Sequence, residues 1–334
     1  MSVEEQVREG LGQVLVPGIM RSVVRMNLVR DVEVKDGRAK VVLASAGIPD
    51  QSQDWVKDKV IAAIHEVPEI KETIVDFVEA KPKELNQIEH VIVVMSGKGG
   101  VGKSLVAGLL ASCFAREGKD VGVLDADVTG PSIPKMFGLN DRPSGSEAGI
   151  LPILSKYGIE IMSMNLLLPS EDEAVIWRGP LMSKVITQFW EDVLWGKLDY
   201  LVLDLPPGTG DIPLTVMQTL PISGVIDVFT PQDLTTMIVM KAVKMARKMN
   251  VRVLGVIENM SYLLLPETGK VIEVFGRSKG EEMAKAAGVP LLGRIPIDPE
   301  LARLCDQGEI EKYRSDAISE IFANIMAIMD KGKA

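Results

Sequence analysis

The stretch Ser96-Gly97-Lys98-Gly99-Gly100-Val101-Gly102-Lys103-Ser104 constrains this chain more than any other. It follows the apolar run Val91-Ile92-Val93-Val94-Met95 and opens an apolar helix. Strand, glycine loop and helix, in that order, make the setting that the phosphate-binding pattern G-x-x-x-x-G-K-[ST] requires. The glycines let backbone N–H groups converge on phosphate oxygens, because no Cβ blocks their approach. The start of the helix adds unpaired N–H groups and the positive end of its dipole. Lys103 supplies a point charge for the β- and γ-phosphates, and Ser104 a hydroxyl for Mg²⁺. The pattern predicts a nucleoside triphosphate ligand.

Composition narrows the class further. The chain has 334 residues, room for one large domain and a small one. Apolar residues make up 46% and charged residues 25%, ordinary for a soluble globular protein. A formal charge of −9 argues against nucleic acid as the main partner, because phosphate contacts need a basic face. No apolar run is long enough for a membrane span, and Met1 to Leu15 is charged and amphipathic rather than a signal peptide. A cytoplasmic protein with no membrane partner is expected. Cys113 and Cys305 are the two cysteines, which suggests no disulfide framework. With His65 and His90 as the two histidines, a histidine-centred metal site or triad is nearly excluded.

Residues 1–80 read as a small α+β unit. Val3, Val7, Leu11 and Val14 recur at helical spacing. Strands are expected at Leu28 to Val34 and Ala39 to Ala44, joined through Asp36-Gly37, a strong hairpin signal. A helix from about Gln53 to His65 and a strand from Thr73 to Val78 follow. Lys81-Pro82-Lys83-Glu84 is polar and proline-containing, so residues 81–89 are expected to form a linker. From His90 to the end, apolar runs alternate with helices. Val91–Met95, Val121–Asp125, Tyr200–Leu205, Gly224–Thr230, Val253–Ile257 and Leu291–Ile295 have the near-continuous apolar character of strands buried on both faces. A doubly wound, mostly parallel α/β sheet is expected, with its ligand at the carboxyl ends of the strands.

Two of those strand ends are acidic: Leu124-Asp125-Ala126-Asp127-Val128-Thr129-Gly130-Pro131 and Leu203-Asp204-Leu205-Pro206-Pro207-Gly208-Thr209-Gly210-Asp211. An aspartate at the tip of an apolar strand beside a phosphate loop is the usual Mg²⁺ partner, directly or through water. Asp204 fits that role best, and Asp125 is a second candidate.

Lys98-Gly99-Gly100-Val101-Gly102-Lys103-Ser104 resembles the deviant loop of the MinD/ParA/NifH-like class of P-loop NTPases (the SIMIBI class), with its extra lysine before the glycine pair. The two acidic segments, Trp177-Arg178-Gly179-Pro180 and Ile257-Glu258-Asn259-Met260-Ser261-Tyr262 narrow the resemblance to the Mrp/ApbC family of iron–sulfur cluster carrier ATPases. The N-terminal unit is similar to the small iron–sulfur assembly domain often fused to it. The resemblance implies slow Mg²⁺-dependent ATP hydrolysis in a face-to-face homodimer, with iron–sulfur client or scaffold proteins as partners. It implies that Gly97, Gly99, Gly100, Val101, Gly102, Lys103 and Ser104 hold the nucleotide. Lys98 would act across the dimer on the partner's phosphates, Asp127 would orient the attacking water, and Asn259 would bond the adenine. Ser104, Asp125 and Asp204 would serve Mg²⁺.

One part of the family pattern is missing. Such carriers bridge a [4Fe–4S] cluster with a Cys-Pro-x-Cys pair from each subunit, just after the Asn-Met-Ser segment. Here Leu265 and Thr268 occupy the cysteine positions, and neither ligates iron as a thiolate does. The small domain has Gly47-Ile48-Pro49 where its relatives usually carry Gly-Cys-Pro, and Val16-Pro17-Gly18 where Asp-Pro-Glu is common. Cys113 and Cys305 both read as packing residues in helices. Alternative functions therefore stand side by side: a nucleotide-dependent carrier with a degenerate cluster site, and a cluster-free ATP-gated protein switch or MinD/ParA-like regulatory ATPase. A membrane-binding C-terminal helix is disfavoured, since the stripe of Ile318, Ile321, Phe322, Ile325, Met326 and Met329 has basic residues only at its tail.

Overall fold

Asp36 and Gly37 both take positive φ, 49° and 76°, which is what a two-residue hairpin of the primed type needs. They join the antiparallel strands Val29–Lys35 and Arg38–Ala44, with Lys35 opposite Arg38. A third strand, Glu72–Val78, runs parallel to the second. A parallel neighbour requires a crossover, and the helix Asp50–His65 supplies it. Alternation puts Val41, Leu43 and Val75 on the covered face. Val56, Val60 and Ile64 of that helix pack there, with Val7 and Leu11 of the first helix, Val3–Leu11. Ser2 and Glu5 cap that helix reciprocally, the Ser2 Oγ accepting from the Glu5 N–H at 3.2 Å. Helical spacing suggested that the helix reaches Val14, but Gly12 ends it and Val14 is buried beyond the cap.

The computed structural model describes residues 2–127, 132–146, 149–167, 179–232, 235–265 and 268–331. The chain separates into two compact units. The first holds Met1–Glu89 together with Arg142–Leu154 and Gln188–Leu198, and the second holds His90–Asp141, Ser155–Thr187 and Asp199–Ala334. Leu151 and Leu194 complete the core of the first unit, far in sequence from the rest of it. The polar stretch expected to be a linker is ordered. Pro82–Leu85 forms a short helix, and the Asn86 side-chain Oδ1 accepts from the distant Trp195 N–H at 2.8 Å.

The second unit is built on parallel strands. Through the middle of its sheet their order is Glu160–Ser163, Val121–Asp125, Lys197–Asp204, Gln87–Met95, Gly224–Phe229, Val253–Glu258 and Leu291–Arg294. The expected doubly wound architecture is present. Aliphatic residues of these strands are almost wholly buried against the helices Lys103–Arg116 and Asp316–Asp330. Ile318, Ile321, Ile325 and Met329 are buried in that core, so the apolar stripe of the last helix packs inward. No helix among the described residues is long and apolar enough to cross a membrane. Met95, Asp125 and Asp204 end their strands at the same edge of the sheet, where the phosphate loop begins.

One strand residue breaks the apolar rule. Asp227 lies between Met95 and Val256 on its neighbouring strands, is 1% exposed, and has no hydrogen-bond partner at either carboxylate oxygen. Burial pushes its pKa well above the ordinary carboxylate range. The unfolded chain loses this proton as pH rises above about 4, while the folded chain keeps it, so folding costs more as pH climbs toward the folded pKa. Asp227→Val should therefore raise stability at pH 7 by about 1–3 kcal/mol. Denaturant titrations should show that gain shrinking toward pH 4; a gain independent of pH would contradict the assignment.

Candidate functional site

Phosphate loops depend on glycines at positions where a side chain cannot go. Gly100 and Gly102 have φ of +77° and +80°. A Cβ on Gly100 would meet nothing within 4 Å, so that part of the loop borders open space. A Cβ on Gly102 would lie 2.1 Å from the Asn259 amide nitrogen, so only glycine fits under that side chain. Gly99 faces Pro207 of the second acidic segment, and Gly208 and Gly210 again border open space. Val101 is buried in the core and anchors the loop. Ser96 fixes its start, donating from Oγ to the Lys98 carbonyl at 2.9 Å, while its own carbonyl accepts the Gly208 N–H at 2.8 Å. Gly97, between them, is half-buried. Gly102 then caps the helix Lys103–Arg116, whose first N–H groups face the loop.

Lys103 sits at the floor, 5% exposed, where an ammonium needs a counter-charge. Its Nζ lies 2.5 Å from Asp204 Oδ1 and 3.3 Å from Asp127 Oδ2, and it donates to Ser104 Oγ at 3.3 Å. Asp204 is fully buried, and its Oδ2 has no hydrogen-bond partner. Burial raises its pKa, and the Lys103 ammonium and the Ser104 hydroxyl pull it back down. An unpartnered carboxylate oxygen beside a serine hydroxyl, both hard donors, suits a Mg²⁺ ion or its bound water.

Asp125 is arranged differently. Its Oδ1 accepts the Asp127 backbone N–H at 3.0 Å, and its Oδ2 accepts the Ser163 hydroxyl at 2.9 Å. Burial first, and then the neighbouring Asp204 charge, push its pKa well above the usual range. Both oxygens are committed to protein groups, so Asp125 is placed to position Asp127. Ser163 was not evident from the sequence. It stands opposite Asp125 on the adjacent strand, and no local pattern marks it.

Asn259 and Lys98 are also occupied. The Asn259 amide donates to the Val101 carbonyl at 2.8 Å, and its oxygen accepts the Met260 N–H at 2.9 Å. The Lys98 ammonium donates to Gln232 Oε1 at 2.5 Å within the same chain. Val128, Thr129, Gly130 and Pro131 of the first acidic segment, and Trp177 and Arg178, lie outside the described residues. So do Pro266 and Glu267, between Leu265 and Thr268. Those two flanking residues end a short hairpin, Leu263–Leu264 against Val271–Ile272, in which the Leu265 N–H reaches the Lys270 carbonyl at 3.0 Å. Ile48 is buried in the core of the first unit. Cys113 is buried and accepts from Arg116 at 2.8 Å, and burial pushes the Cys305 thiol up to about 11. Among the described residues, no group of three or more His, Cys, Asp or Glu side chains could hold a metal ion.

Residues 87–330 match the family model described as NUBPL iron-transfer P-loop NTPase. The chain belongs to that family. Residues 4–77 match a second model, iron–sulfur cluster assembly protein, which covers the small N-terminal sheet and its helices. Among curated relatives, an iron–sulfur cluster carrier protein of Bacillus subtilis is 37% identical over 98% of this chain and 97% of its own length. One from Aquifex aeolicus is 38% identical, with 91% of each chain covered. Among solved structures, a nucleotide-binding protein from Archaeoglobus fulgidus in complex with ADP is 45% identical. It covers 70% of this chain and 92% of its own, with a TM-score of 0.63. MinD from Pyrococcus horikoshii, at 21% identity, 74% and 99% coverage and a TM-score of 0.53, shares the fold. Both the P-loop NTPase assignment and the iron–sulfur carrier family expected from the motifs are therefore met.

Gly102→Ala puts a Cβ into the Asn259 amide at an unfavourable φ, which should destabilise the protein by about 1–3 kcal/mol. Thermal unfolding should show that loss, together with weaker ADP binding by calorimetry; wild-type stability would mean that Asn259 is not held where the loop needs it.

Proposed function

We propose that this chain is a Mg²⁺-dependent ATPase of the iron–sulfur cluster carrier family, acting as a homodimer on clusters held through a partner protein's thiolates. The observation that carries the nucleotide part is the buried Lys103 ammonium at the floor of an open glycine loop, with an unpartnered Asp204 oxygen beside it. Lys103 is neutralised by Asp204 and Asp127. A triphosphate would replace those carboxylates as its counter-charge, while loop N–H groups bind the phosphate oxygens.

Ser104 Oγ and Asp204 Oδ2 are the groups suited to Mg²⁺. The ion would supply charge stabilisation to the β- and γ-phosphate oxygens. Hydrolysis is phosphoryl transfer to water: the bond between the γ-phosphorus and its bridging oxygen breaks, and a water oxygen takes its place. Asp127, its backbone N–H held by Asp125, would orient that water. Lys98 would leave Gln232 and act on the nucleotide of the facing subunit, stabilising charge in the transition state as an arginine finger does. Catalysis on this plan rests on positioning and electrostatics, which fits a slow enzyme. Leu265 and Thr268 favour a cluster that is cargo, ligated by a partner, over one resident in this chain.

Lys103→Ala should weaken ADP and ATP binding by roughly 10- to 100-fold, the worth of a hydrogen bond to a charged group. Calorimetry that finds wild-type affinity in this variant would refute the assignment. Lys98→Ala should still bind nucleotide but lose about a thousandfold in hydrolysis rate. Phosphate-release assays with unchanged turnover would rule out the trans-acting lysine.

A further inference from the structure

Asn259 bonds the phosphate loop on one side and begins an ordered chain of contacts on the other. On the loop side, its amide donates to the Val101 carbonyl at 2.8 Å and fills the space a Gly102 side chain would occupy. The residue is 1% exposed, and the Met260 side chain packs on the same glycine. Contact this close transmits displacement, because neither partner has room to yield.

On the other side, Met260 takes φ +53° and turns the chain sharply toward Ser261. The carboxylate of Glu258 is fully buried and gathers the far end of that turn. It accepts the Ser261 hydroxyl, the Ser278 hydroxyl at 2.7 Å and the Lys279 backbone N–H at 2.8 Å. Arg294 completes the clasp, donating to Ser261 Oγ at 2.8 Å and lying 5.2 Å from the Tyr262 ring centroid. The Tyr262 carbonyl accepts the Ile297 N–H at 2.7 Å, and Leu263 bridges to Ile297. There the hairpin begins, and with the turn after it exposes Leu264, Val271, Ile272, Val274 and Phe275.

We infer that Asn259 is a positioning residue that couples nucleotide occupancy of the phosphate loop to the order of the apolar hairpin formed by residues 262–265 and 268–276. The inference rests on the nucleotide-binding reading and adds regulation to it. Lys103 lies against Asp204 and Asp127, and a side chain on Gly100 would meet nothing within 4 Å, so the loop has room to shift there. Bound phosphate fixes the loop, and with it the Val101 carbonyl and the Asn259 side chain. The Glu258–Ser261–Arg294 clasp then carries that order into Tyr262 and Leu263. Opening of the hairpin becomes rarer when the loop is filled. The exposed apolar surface is thus presented in one defined form when nucleotide is bound and in several without it.

Hydrogen–deuterium exchange on the full chain, with and without Mg–ADP, tests this. Amides of residues 262–265 and 268–276 should exchange about tenfold more slowly with nucleotide, a typical scale for coupling between sites. Ser261→Ala removes the hydroxyl that ties the chain after Met260 to the Glu258–Arg294 ion pair without touching the loop, so it should bind Mg–ADP as tightly as wild type and lose the slowing. Asn259→Asp keeps the shape but replaces the donor to Val101 with an acceptor, and should lose both affinity and slowing. Unchanged exchange in the wild type on binding Mg–ADP would overturn the coupling and leave the nucleotide reading intact. Retained slowing in Ser261→Ala would overturn the route. Failure of the wild type to bind Mg–ADP would remove the reading on which it rests.

Discussion

The buried ammonium of Lys103 is the constraint on which the rest of this site depends. A lysine at that depth needs opposite charge within hydrogen-bond reach, and the fold provides it from Asp204 at the end of one strand and Asp127 two residues past the end of its neighbour. Asp204 and Asp125 end adjacent parallel strands in register, so the sheet itself places two carboxylates side by side. They cannot comfortably both be charged there. Asp204 faces Lys103, whereas Asp125 turns to Ser163 and to the Asp127 backbone. From one geometric fact follow three roles: a counter-ion with a spare oxygen, a positioning carboxyl, and an aspartate held at the edge of the loop.

The local parts of this arrangement were legible in the sequence. Glycine spacing, a lysine and a serine at the start of a helix, and aspartates ending apolar runs are short-range signals with direct physical causes. The hairpin at Asp36-Gly37 was legible for the same reason. What escaped the sequence depends on residues brought together across the fold. Ser163 meets Asp125 only because their strands are neighbours. Gln232 meets Lys98 across 134 positions, and Asn259 meets Val101 across 158. Leu151 and Leu194 complete a core begun more than a hundred residues earlier, and nothing in their own segments marks that destination. Asp227 was visible as an acid in an apolar strand, but its lack of partners could be known only from its neighbours.

The same chain keeps its nucleotide machinery and loses its thiolates. Leu265 and Thr268 lie at the end of a hairpin whose surface is apolar, the Leu265 carbonyl accepting the Gly269 N–H, and the cysteine position of the small domain is filled by a buried isoleucine. Each replacement removes a soft ligand and adds packing or apolar contact surface. Membership of an iron–sulfur carrier family and the absence of a local ligand pair are reconciled if nucleotide chemistry is this chain's contribution and the thiolates come from the protein it serves.

Anaerobic reconstitution of the purified chain with iron and sulfide, with bound iron per dimer and charge-transfer absorption as readouts, tests this division of labour most directly. A chain that relies on partner thiolates predicts no stably bound cluster after desalting, in a preparation that still binds Mg–ADP. A stable cluster lost in Cys305→Ala or Cys113→Ala would contradict it, and would mean that the carrier ligands had moved rather than disappeared.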